Sequence, residues 1–134
     1  MDDNGLIKIA NQARSKAYAP YSGFRVGAAL LCEDGTIFSG ANVENAVYGL
    51  SLCAERVTIS KAVSNGYRSF KALAIIAEGE APCPPCGACR QFLSEFGAEI
   101  DVIMANSNGD FKKAKIKELL PFAFNSERLS SKQG

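Results

Sequence analysis

Leu6, Ile9, Ala10, Ala13 and Ala17 recur at helical spacing while Lys8, Gln12 and Lys16 fall on another face, which predicts an amphipathic helix over about residues 5–17. Pro20 sets its end, and Ala19-Pro20-Tyr21-Ser22-Gly23 reads as a turn-rich loop. The short apolar runs 25–32 and 37–41, joined by Glu33-Asp34-Gly35-Thr36, predict a β-hairpin. Its small residues Gly27, Ala28 and Ala29 leave room for a helix to pack closely on one face. Asn42-Val43-Glu44-Asn45 follows as either a polar strand end lining a site or an ordinary Asx-rich turn. A second helix is expected over about 53–63, closed by Asn65-Gly66. The unalternating run 72–77 fits a central strand covered on both faces. After the proline-rich CPPCG, the spacing of Ala88, Phe92, Leu93 and Phe96 predicts a third helix, followed by a strand over 100–105 and an Asn108-Gly109 turn. A short strand near Phe111, a last helix holding Ile116, Leu119 and Leu120, and a polar, mobile tail over 126–134 complete the reading.

Strands that alternate with helices after an initial hairpin indicate one mixed sheet between helices, a three-layer α/β/α arrangement of about five strands. A chain of 134 residues fits a single domain, 1–134. Fifteen basic and fourteen acidic residues leave a net charge of +1, without the basic excess that a phosphate backbone demands, so nucleic acid is not an expected partner. No stretch approaches about eighteen apolar residues, and the opening MDDNGLIKIANQ lacks the pattern of a secretory signal. A membrane is therefore not expected either, and the expected compartment is the cytosol.

Thiols stay reduced there, so five cysteines, three of them within CPPCGAC, point to a metal or a reactive site before disulfides. The chain has no histidine, so acid/base chemistry near neutral pH must come from a tuned carboxylate, a thiol or a metal-bound water. Cys53 and Glu55 fall in the first turn of one predicted helix, and Cys86 and Cys89 at the start of another. Residues two apart diverge in mid-helix, but first-turn side chains can converge beyond a helix mouth. The partial positive charge of about half a unit at that mouth also favours thiolate over thiol. Thiolates suit zinc, and a catalytic zinc keeps three protein ligands and one open position. Cys53, Cys86 and Cys89 would supply the three. Glu55 would be free to move protons of a bound water whose pKa zinc lowers from about 15.7 to about 7.

Pro82-Cys83-Pro84-Pro85-Cys86 offers a second, overlapping ligand spacing. Two prolines between ligands remove two N–H donors to sulfur, whereas Gly87 and Ala88 keep theirs, which favours Cys86 and Cys89 and leaves Cys83 spare. Cys32 reads as a small buried hydrophobe. Singly, each element has an ordinary reading: Cys53 as a core cysteine beside a Cys83, Cys86 and Cys89 knuckle, the CxxC as a redox pair, Glu55 as a helix-start acid. Jointly, both fragments open a helix after a strand and a loop, as one shared metal site requires.

Cys-x-Glu followed by Pro-Cys-x-x-Cys resembles the zinc nucleobase-deaminase signature in an all-cysteine form. In order, Ala19-Pro-Tyr-Ser-Gly-Phe24, Val26-Gly-Ala-Ala29, Asn42-Val-Glu-Asn45, Cys53-Ala-Glu-Arg56, Pro85-Cys-Gly-Ala-Cys-Arg90 and Glu118-Leu-Leu-Pro121 resemble the small, homotetrameric cytidine deaminases. The resemblance implies that family's fold, four subunits completing one another's sites, and hydrolysis of cytidine and deoxycytidine to uridine and deoxyuridine in pyrimidine salvage. It implies Cys53, Cys86 and Cys89 as ligands of one zinc per subunit and Glu55 as proton shuttle. Asn42 and Glu44 would hold the ribose hydroxyls, Phe24 would stack on the pyrimidine, and the Ala54 backbone would read the base edge. Tyr48 and Phe124 resemble positions that reach a neighbouring subunit's site. Three thiolates and one divalent zinc sum to minus one, and Arg56 beside the first ligand is expected to draw off that charge. The competing readings are a deaminase of a cytosine nucleoside antibiotic, a single-strand nucleic-acid editor, which the +1 charge disfavours, and a noncatalytic zinc-stabilised interaction module.

Overall fold

A computed structural model describes residues 1–126 and 129. The tail expected over 126–134 therefore lies almost wholly outside the described residues. Among those described, five strands form one sheet in the order β2-β1-β3-β4-β5: β1 Val26–Cys32, β2 Ile37–Ala41, β3 Phe70–Ala77, β4 Asp101–Asn106 and β5 Phe111–Lys115. Only the β3/β4 pair is parallel. One helix, α1 (Asp3–Arg14), covers one face, burying Leu6, Ile7 and Ala10 against Ala29, Ala74 and Ile76. The other face carries α2 (Ala54–Ser64), α3 (Gly87–Ser94) and the short α4 (Ile116–Leu119), whose Ile59, Leu93 and Ile116 pack against Leu30, Leu73 and Ile75. The expected mixed sheet with helices on both faces is what forms.

α1 begins and ends earlier than its periodicity suggests. Asp2 caps it by accepting from the Gly5 N–H at 2.8 Å, which starts the helix ahead of the apolar stripe. It stops at Arg14 because the next residues are captured by another segment: Tyr18 N–H donates to Asn42 O, and Glu44 N–H donates to Tyr18 O. Pro20 merely follows.

Of the hairpin's small residues, Gly27 and Ala29 face α1 while Ala28 faces the opposite core. A Cβ at Gly27 would lie 2.0 Å from the Ala10 carbonyl oxygen and 2.7 Å from the Arg14 nitrogen, both backbone atoms that cannot swing aside. Gly27→Ala is therefore expected to cost at least the upper end of the about 1–3 kcal/mol typical of overpacking, read as a lower urea midpoint.

The connectivity positions the rest. β2 and β3 both run antiparallel to β1 and hence parallel to each other, so α2 is a crossover that passes over β1. α3 is the crossover between the parallel strands β3 and β4. Both helices therefore start at the same edge of the sheet, beyond the carboxyl ends of β2 and β3, where open α/β sheets place their sites. Gly27 pairs with Ala41 on one side and Ile76 on the other, so the two strand ends are a single strand apart.

Candidate metal centre and active site

Cysteine stands at the N-cap of both helices, a position usually held by Ser, Thr, Asp or Asn. Cys53 (φ −70, ψ 151) and Cys86 (φ −69, ψ 169) share the same extended backbone, and neither side chain is spent on capping its helix. Cys89 lies one turn into α3 and is buried. The three Sγ atoms lie within 4.8 Å of one another, with Cys53 and Cys86 4.0 Å apart. Tetrahedral zinc with bonds of about 2.3 Å needs sulfurs about 3.8 Å apart, so the donor set fits that ion in both chemistry and spacing.

Charge follows from the contacts. Cys53 is pushed down to about 5 by the Cys89 thiol that donates to it, with Arg56 and Cys86 adding, while Cys89 moves up by holding that proton and by burial. Arg56 Nη2 sits 3.9 Å from Cys53 Sγ and donates to the Ser51 carbonyl at 3.2 Å, so a guanidinium lies against the sulfur cluster. Glu55, only 5% exposed, has its carboxyl raised above the usual range by burial, and the charge of Cys53 adds to that. A buried carboxyl beside the Cys53 thiolate, its proton affinity raised, is a group suited to taking and returning a proton.

A cavity of about 270 Å³ opens onto this cluster, lined by Phe24, Asn42, Glu44, Cys53, Ala54, Glu55 and Cys86. It lies at the small end of ligand pockets, which run about 300 to 1,000 Å³. Ala54 is the first residue of α2, so its N–H is one of the unpaired donors of a helix start. The polar rim is tied down at both ends. Asn42 accepts from Val26 N–H at 2.9 Å through Oδ1 and donates to the Phe24 carbonyl at 2.8 Å through Nδ2. Its amide thereby fixes the strand entry that carries Phe24. Glu44 Oε1 accepts from the backbone N–H groups of Tyr21 and Ser22 at 3.0 and 3.1 Å, and Oε2 from the Ser22 hydroxyl. The Ser22 contacts, hydroxyl first, hold that carboxyl below the usual range, so it stays ionised. Val43 between them pairs with Tyr18 and with Leu52, fixing the segment as a strand extension.

A family model, the cytidine and deoxycytidylate deaminase zinc-binding region, matches residues 1–105. The chain belongs to the cytidine and deoxycytidylate deaminase family. The cytidine deaminase of Sporosarcina psychrophila is 52% identical over 97% of this chain and 96% of its own length. That of Halalkalibacterium halodurans is 50% identical over 97% and 99%. The crystal structure of cytidine deaminase from Burkholderia pseudomallei superposes with a TM-score of 0.90 at 49% identity, covering 92% of this chain and all of that one.

Two residues named from the family resemblance lie away from the cavity within this one chain. Tyr48 is 76% exposed in an adjoining hollow with Tyr21, Ser22, Glu44 and Ser51. Phe124 is 56% exposed, its carbonyl accepting from Gln91 Nε2 at 2.7 Å. Sequence reasoning gave no site role to several residues that line the cavity. Val26, Ser51, Leu52, Cys83 and Pro84 also line the cavity. Cys83, the spare cysteine, stands outside the three-sulfur cluster, its thiol pushed up to about 11 by burial first and then by the charge of Glu55. Ser22 was read as part of a turn and of a family-like stretch but given no role, although a hydroxyl two residues before Phe24 in a turn-rich loop is the kind of signal that marks a site's rim.

Proposed function

We propose that this chain is a zinc-dependent hydrolase that converts cytidine and deoxycytidine to uridine and deoxyuridine, releasing ammonia from C4. The observation that carries the reading is the convergence of Cys53, Cys86 and Cys89 within 4.8 Å beside a buried Glu55 at the wall of one cavity. Membership of a zinc-binding deaminase family and relatives named cytidine deaminase at 52% and 50% identity support the substrate. Cys53, Cys86 and Cys89 would hold the ion, with Arg56 offsetting the excess charge of three thiolates. When bound, zinc supplies a lowered pKa for water, so that water attacks at neutral pH.

Glu55 takes a proton from the attacking water and delivers it to N3 of the pyrimidine as the new C–O bond forms at C4. It then carries the second water proton to the departing amino group, which leaves as ammonia, so the two protons and the oxygen of one water are accounted for. The Ala54 N–H faces the base edge. Asn42 retains one N–H and one lone pair beyond its backbone bonds, and Glu44 one lone-pair site beyond the three it uses, enough between them to donate to and accept from a diol. Phe24 stacks on the pyrimidine.

The functional unit is a single domain, and four copies complete one another's sites, Tyr48 and Phe124 reaching a neighbour. Tyr18, Val43, Val47, Tyr48, Leu50 and Leu52, on segment 43–52 and its bridge partner Tyr18, are exposed, an apolar surface of the kind that a second copy covers. Among the described residues no helix is long and apolar enough to cross a membrane. The reduced thiols that the site requires suit the cytosol.

The direct test follows ultraviolet absorbance of cytidine, deoxycytidine and a cytosine nucleoside antibiotic with purified protein. Loss of the cytosine absorbance with the first two, and release of ammonia in equal amount, is the expected result. Turnover of the antibiotic alone, or of none of the three by zinc-loaded protein, would overturn the assignment.

A further inference from the structure

Each ligand-bearing helix carries an arginine in its first turns, and the two do different things. Arg56 turns toward sulfur, 3.9 Å from Cys53 Sγ. Arg90 turns away from it: Nε donates to the Pro85 carbonyl and Nη1 to the Leu119 carbonyl, both at 2.9 Å. Pro85 immediately precedes Cys86. Pro84 and Pro85 have no N–H, so this stretch cannot be held by its own amides and its carbonyl needs a donor from elsewhere. Cys86 is also the exposed member of the three, Cys89 being buried and Cys53 half-buried, so packing does least to hold it. The far end of the fork rests on the last residue of α4, and the adjacent Gln91 grips the same segment again at Phe124.

We propose that Arg90 is a positioning residue that clamps the Pro85-Cys86 backbone to the end of α4 and thereby sets how firmly the three-cysteine site retains zinc. A guanidinium suits the task because its planar fork can serve two carbonyls at once. The proposal rests on the reading of Cys53, Cys86 and Cys89 as zinc ligands and adds a residue that touches neither the sulfurs nor the cavity.

The test measures zinc transfer from purified, zinc-loaded protein to an excess of a colorimetric chelator, for the parent, Arg90→Ala and Arg90→Lys, with thermal unfolding recorded alongside. Partners one shell out from a metal's ligands typically change its affinity about ten- to a hundredfold. Arg90→Ala is expected to release zinc faster by that order, and Arg90→Lys by less, because a single ammonium replaces the fork. Added zinc is expected to restore activity to both by mass action. Release at the parent rate in both variants, with or without a lowered melting temperature, makes Arg90 an ordinary structural residue and overturns the proposal. If Arg90→Ala does not fold, Arg90→Lys is judged by the same criterion. A parent protein without stoichiometric zinc overturns the metal site itself, and the clamp with it, which is a different result from zinc held equally well by all three.

Discussion

Glu55→Ala is expected to keep its zinc and lose nearly all turnover. The carboxyl is buried at the cavity wall, two residues from Cys53, in a chain with no histidine to stand in for it. Removing a general acid/base typically costs about 10²–10⁴ in rate, and a residue that moves protons both to the ring and to the leaving group belongs at the upper end of that range. The loss is expected without unfolding. Burial disfavours the ionised carboxylate and raises its pKa, so alanine relieves a desolvation cost and the melting temperature is expected to hold or rise. Glu55→Gln separates shape from proton transfer, since it keeps the size and one carbonyl acceptor but cannot carry a proton. Zinc content, melting temperature and kcat measured on the same samples decide the matter. Either variant turning over cytidine near the parent rate removes Glu55 from the chemistry.

What could be read from the chain, and what could not, divides by distance along it. The hairpin, the central strand and both cysteine-headed helices were legible because hydrophobic period and turn residues are local signals, as at Gly35 and Gly109, which take φ of +93 and +90. Arg56 was legible as a neighbour of sulfur because three residues along a first turn put it there. That Cys53 and Cys86 meet depends instead on β1 lying between β2 and β3, an order no local pattern encodes. The family motifs carried that step. Contacts made across long separations left no trace either: Glu44 holds Ser22 from 22 residues away, and Arg90 holds Leu119 from 29. Nothing in the local sequence names the partner of either side chain. The overlong estimate of α1 has a similar origin, since its periodicity continues to Ala17 but the backbone of Tyr18 is already pairing with Asn42 and Glu44.

Stripping the metal is expected to abolish deamination outright and to lower stability, and readdition of zinc is expected to reverse both. The three sulfurs come from two helix mouths joined by no disulfide, so an ion held by them would tie α2 to α3 at the edge of the sheet. Because zinc binds the folded arrangement of ligands, its contribution follows mass action: free zinc a thousandfold above Kd adds about 4 kcal/mol. For a chain of this length that corresponds to roughly 10 °C or more in Tm. Unlike a small zinc finger, the chain should not unfold on chelation, because Leu30, Leu73, Ile75 and Ile103 are fully buried in two apolar clusters that hold the sheet between its helices without the ion. The apo protein should therefore show a native far-ultraviolet circular dichroism spectrum, a lower Tm and no activity, with one equivalent of zinc per chain recovering the Tm and the activity of the parent. A chelated sample that still deaminates cytidine, or one whose activity returns with less than about one ion per active chain, would show that the reaction does not run through the three-cysteine site.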